Sequence, residues 1–120
     1  MIMASYYKSK LSHTILEFGR NLIALLPEPH QKNELEACMD TIVLVWNSVT
    51  LDSIHGTTKN TDAVFEVLRN EPPEYVLHIK RLVMRKKRHF STDLRGVGNR
   101  WIKEKNGELI FGCDARAIAD

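Results

Sequence analysis

Trp101-Ile102-Lys103-Glu104-Lys105-Asn106-Gly107-Glu108-Leu109-Ile110-Phe111-Gly112-Cys113 reads as two strands joined by a two-residue turn. Asn-Gly tolerates the positive φ that a type I′ turn needs, and the twist of that turn matches its flanking strands. The turn predicts the pairs Lys105–Glu108, Glu104–Leu109, Lys103–Ile110 and Ile102–Phe111, and the opposite charges of the first pair favour this register. Side chains alternate along a strand. Leu109, Phe111 and Cys113 therefore share a face with Ile102, while Trp101 and Ile110 fall on the other. An isolated hairpin is only marginally stable in water, so it must pack on helices, pair with another strand or extend across a dimer. Its second apolar face makes Trp101 and Ile110 the expected dimer or partner contact, and a homodimer the expected assembly.

Working back from the hairpin, residues 1–90 read as helical. Leu11, Ile15, Phe18, Leu22, Leu25 and Leu26 recur every three or four residues and predict a first helix from Ser5 to Leu26. Pro27 and Pro29 end it, because proline lacks a donor and clashes with the preceding turn. A second helix is expected from Asn33 to His55. Leu35, Met39, Ile42, Trp46 and Val49 lie on one face, and Val43, Leu44 and Val45 make its middle apolar almost all round, as suits a central helix. The β-branched residues between Thr41 and Val49 leave a buried strand as the alternative, but the length favours a helix. Gly56 is a suitable stop. A short third helix is expected after a cap at Asn60 or Thr61, running to Arg69 and anchored by Val64, Phe65 and Leu68. The fourth spans Pro73 to Arg88, with proline in its first turn. The expected architecture is α+β: three to four helices around a central apolar helix, with a C-terminal β-hairpin. A single domain is expected over 1–120, with helical residues 1–90 preceding a loop and hairpin over 91–120.

The 120 residues are 43% hydrophobic and 27% charged, which suits a single core rather than a disordered or fibrous chain. The N-terminal residues show no basic-then-apolar signal pattern. The longest purely apolar run, Ile42 to Trp46, is far shorter than the roughly 20 residues of a membrane span. No membrane partner is expected. Cys38 and Cys113 stand far apart and read as buried reduced thiols, consistent with a cytoplasmic location.

Lys80-Arg81-Leu82-Val83-Met84-Arg85-Lys86-Lys87-Arg88 holds six of seventeen basic residues with no acid between them. The formal charge is +2, so the remainder has eleven bases against fifteen acids, a balance of −4. Such clustered charge attracts phosphates or acidic protein surfaces. At helical spacing Tyr75, Val76, Ile79, Leu82 and Val83 form the buried stripe, and Lys80, Arg81, Arg85 and Arg88 share a solvent face. Lys86 and Lys87 fall in the apolar sector, where the helix is expected to fray and their stems to carry the charge outward. The blander alternative is a solvated face whose cations favour the negative end of the helix dipole.

Three further patterns carry less. Each histidine has an acid three or four residues away: His13–Glu17, His30–Glu34, Asp52–His55, Glu74–His78 and His89–Asp93. A bundle metal site needs such ligands pointing inward. These pairs lie away from the apolar stripes, so they read as surface pairs worth about 0.2–0.5 kcal/mol each, with no metal. In Asp93-Leu94-Arg95-Gly96-Val97-Gly98-Asn99-Arg100, glycines and arginines suggest an anion nest, but the strand-before, helix-after context of a phosphate loop is missing. A flexible turn into the hairpin is expected, with Gly98 as a bulge. Neither cysteine nor Ser53 has a convincing histidine partner, so no catalytic residues and no cofactor are expected.

The expectation is a small non-catalytic binding or adaptor protein. Lys80, Arg81, Arg85 and Arg88, extended by Lys86, Lys87 and Arg95, would contact nucleic-acid phosphates with little base reading, or an acidic protein. The alternative is a protein-interaction module using the outer face of the hairpin. A small metal- or phosphate-dependent enzyme is the least supported reading.

Overall fold

The computed structural model describes residues 10–117, where four helices precede one antiparallel hairpin. The arrangement is the expected α+β one, mainly helical. Helix α1 (Leu11–Ile23) buries Leu11, Ile15, Phe18 and Leu22 along its apolar stripe. The predicted start at Ser5 lies outside the described residues. The end falls short of Leu26, because Leu25 and Leu26 donate to carbonyls only three residues back, tightening the last turn. Leu25 is thereby turned out of the stripe and is 54% exposed.

Helix α2 (Lys32–His55) is the centre of the molecule, packing against α1, the two following helices and the hairpin. Its long apolar run forms a helix and not the alternative strand. Gly56 ends it in the left-handed conformation, φ 63°. Leu35, Met39, Ile42, Trp46 and Val49 are buried as expected, but Leu44 is half exposed, so the middle of α2 is not covered on every side. Trp46 meets Phe18 and Phe90 edge-on at ring-centre distances of 5.2 and 5.8 Å, which joins α1, α2 and the end of the fourth helix. Helices α1 and α2 approach closely at Gly19, where a Cβ would overlap the Ile42 side chain.

Helix α3 (Lys59–Val67) is not capped by Asn60 or Thr61. Its cap comes from α2: Asp52, 6% exposed, accepts the Asn60 and Thr61 backbone N–H groups at 3.0 and 2.8 Å and the Asn60 side chain at 2.8 Å. Asp52 therefore does not form the predicted surface pair with His55. Helix α4 (Pro73–His89) runs on through Lys86 and Lys87 without fraying.

Strands β1 (Gly96–Lys105) and β2 (Glu108–Arg116) pair in the predicted register through all four of the expected pairs. Asn106 and Gly107 have φ of 54° and 79°, as the type I′ turn requires. The pairing slips between Val97 and Arg100, at the expected bulge around Gly98. Ile102, Leu109 and Phe111 are buried against the helices. On the other face the Trp101 indole lies across Gly112, filling the space a side chain would take. Among the described residues no helix is long and apolar enough to cross a membrane.

Candidate functional site

The basic run occupies the second half of α4. Pro73 and Glu74 begin this helix, and Lys86, Lys87, Arg88 and His89 crowd its last turn, where cations favour the exposed carbonyls. Ile79, Leu82 and Val83 fasten it to the core. The seven bases singled out in the sequence then separate into two groups.

Three of them hold the fold together. Arg85 does not project freely with Lys80, Arg81 and Arg88. Its side chain is 20% exposed and lies on α1, with Nε donating to the Phe18 carbonyl and Nη2 to the Glu17 carbonyl, both at 3.1 Å. Lys86 does not carry its charge outward. It is 2% exposed, with Nζ donating to the carbonyls of Phe90 and Asp93 at 2.7 Å and lying 4.1 Å from the centre of the Trp46 ring. Two carbonyls beyond the helix end thus satisfy the ammonium, where a route to water was expected. Burial lowers the Lys86 pKa to about 8, against the pull of the Asp93 charge.

Arg95 is the third. Its Nε and Nη2 form a two-point pair with the Asp93 carboxylate at 2.9 and 2.5 Å. Burial by itself would raise the Asp93 carboxyl. The Arg95 hydrogen bonds and charge, with the Lys86 charge, hold it below the ordinary range. The segment is consequently bound to the helices rather than a loose turn. Trp46 Nε1 donates to the Arg95 carbonyl at 2.7 Å, and the Asn47 carboxamide bonds both backbone groups of Val97, at 2.8 and 3.0 Å. Asn47 escaped the sequence reading, although an amide directly after five apolar residues of a buried helix signals a specific partner. Arg100 similarly pairs with Asp40 of α2.

Lys80, Arg81, Lys87 and Arg88 form the second group. All four are exposed, and among the described residues none forms an ion pair. At helical spacing they share a sector of about 120° with Leu77 and Met84, which are 45% and 42% exposed. A groove of about 440 Å³ follows this sector beside Asn21 of α1, and no carboxylate lines it.

The histidine pairs do not form among the described residues. Glu17 is engaged by Arg20 and Arg85, Asp93 by Arg95, and His30 lies 3.8 Å from Glu28 rather than near Glu34. Local spacing failed at Glu17, Asp52 and Asp93 because each carboxylate is held by another partner. Among the described residues no three His, Cys, Asp or Glu side chains are placed to hold a metal ion. Cys38 and Cys113 are free and half-buried, and burial pushes both thiols up to about 11, so they are protonated at neutral pH. Trp101 stands on the outer hairpin face at 38% exposure, with Ile110 half-buried beside it. No family model, curated protein or solved structure matches the chain.

Proposed function

We propose that this protein is a non-catalytic binding module whose outward α4 face contacts nucleic-acid phosphates. One observation carries the reading: Lys80, Arg81, Lys87 and Arg88 stand exposed on one sector with no ion pair among the described residues. A cation already paired has less to gain from a phosphate, while an unpaired one gains the contact and releases a counterion. Arg85, Lys86 and Arg95 support the surface from behind instead of extending it. Helix α3 packs chiefly on α2, so α3 and α4 do not act as a helix-turn-helix pair.

The test is salt-dependent binding of the pure protein to mixed-sequence DNA and RNA. Three to four phosphate contacts predict a weakening on the order of 50-fold between about 50 and 200 mM salt. Reversing Lys80, Arg81, Lys87 and Arg88 to Glu should abolish the binding. No binding at low salt, or binding indifferent to the reversal, sinks the proposal.

A second reading rests on the hairpin, where the exposed Trp101 and its neighbour Ile110 supply an apolar patch for a protein partner or a second copy. It predicts that Trp101→Ser lowers self-association measured by sedimentation. Unchanged sedimentation would exclude this face from a homodimer.

A further inference from the structure

Cations explain attraction to phosphate, but they do not explain why Leu77 and Met84 stand exposed among them. At helical spacing these two lie between Lys80 and Arg81 at the middle of the basic sector. The groove beside them is open and shallow, with Asn21 of α1 in its lining and a volume of about 440 Å³. Arg85 contributes to its lining with a guanidinium already held by the Phe18 and Glu17 carbonyls. Its Nη2 also lies 3.4 Å from the Glu17 carboxylate, so Arg85 backs the groove and leaves a phosphate to its neighbours. Arg81 and Arg88 flank it one turn away on either side.

A duplex offers this surface only a convex ridge of phosphates. It would satisfy the arginines and leave Leu77 and Met84 covered by nothing apolar. A single strand differs, because its bases can leave the stack and lie against side chains while the backbone follows the cations. We propose that the α4 groove seats one unstacked nucleotide of a single strand, its phosphate on Arg81 and Arg88 and its base against Leu77 and Met84. Asn21 lies opposite, within the groove, where its carboxamide meets the polar edge of the base. The inference rests on the proposed nucleic-acid reading and narrows it to single strands with accessible bases.

The full chain would be titrated with a short labelled single strand of mixed sequence, the same sequence as a duplex, and an abasic strand of equal length and charge. The expected result is that the single strand binds at least about fivefold more tightly than the abasic strand, from burial of the base on two apolar side chains. It should also bind more tightly than the duplex. Leu77→Ser with Met84→Gln should close the gap between intact and abasic strands while keeping the salt dependence, and both positions are exposed enough to accept the change. Equal binding of intact and abasic strands overturns the proposal, as does equal or tighter binding of the duplex. In both of those cases salt-dependent binding would still uphold the broader reading. Binding to none of the three overturns both, and binding to polyglutamate alone assigns the groove to an acidic protein instead.

Discussion

Replacing Lys86 with Met removes a buried ammonium and keeps most of its stem volume. In the wild type Nζ is enclosed by the Phe90 and Asp93 carbonyls and the Trp46 ring, and the residue is 2% exposed. Burial takes its pKa from the ordinary 10.5 to about 8. Below about pH 8 the folded and unfolded chains both hold the proton, and the folded chain bears the full cost of burying it. Between 8 and 10.5 the unfolded chain keeps the proton and the folded chain releases it, so stability rises with pH. At about 1.36 kcal/mol per pH unit the full cost is about 3 kcal/mol, of which about 2 kcal/mol is recovered between pH ~7 and ~10. The two thiols act in the opposite sense, since burial raises both from 9.0 to about 11 and the unfolded chain ionises them first. They cancel when wild type and Lys86→Met are compared at each pH. Urea unfolding followed by tryptophan fluorescence measures the comparison. The wild type should gain about 2 kcal/mol on the variant from pH ~7 to ~10. A gap constant to about 0.5 kcal/mol would refute the reasoning, because it would mean that Lys86 keeps ordinary access to water.

Asp52→Ala should cost about 1–2 kcal/mol by the same urea assay, through loss of the α3 cap, and should speed amide exchange in α3 first. Burial alone would raise the Asp52 carboxyl, but the Thr61 and Asn60 hydrogen bonds hold it below the ordinary 3.8. Its contribution is thus present above that value and is lost as pH falls below it, so wild type and variant should converge in acid. Gly19→Ala should destabilise by about 1–3 kcal/mol despite the better helix propensity of Ala, because its Cβ meets Ile42. Ile42→Val removes the nearest atom, so the double mutant measured by urea unfolding should lose less than the sum of the two single changes. Asn47→Leu strips both hydrogen bonds from Val97 and should cost about 2 kcal/mol, with amide exchange rising first at the start of β1.

The elements that sequence reasoning placed well are those specified by neighbours a few residues apart. Asn106-Gly107 sets a turn, the turn sets the register, and alternation then sends Ile102, Leu109 and Phe111 inward. The α2 stripe from Leu35 to Val49 and the α4 stripe at Ile79, Leu82 and Val83 follow in the same way from a period of 3.6. Gly19 was legible in principle, since glycine inside an amphipathic helix costs about 1 kcal/mol unless something packs close to it.

The basic surface behaves differently. Periodicity assigns a direction to a side chain but not a partner, and for a charged group the partner settles its role. Arg85 finds the carbonyls of Glu17 and Phe18 some 67 residues back along the chain, and Arg100 finds Asp40 at a separation of 60. Lys86 turns inward because the chain after α4 folds back and offers it two carbonyls. Composition and spacing therefore established a basic amphipathic helix, four helical stretches and the hairpin with its register. Which four of the seven bases stay exposed and form no ion pair among the described residues was decided by the packing of α4 against α1 and the course of residues 90–97, since hydrogen-bond partners distant in sequence are brought within reach only by the folded chain.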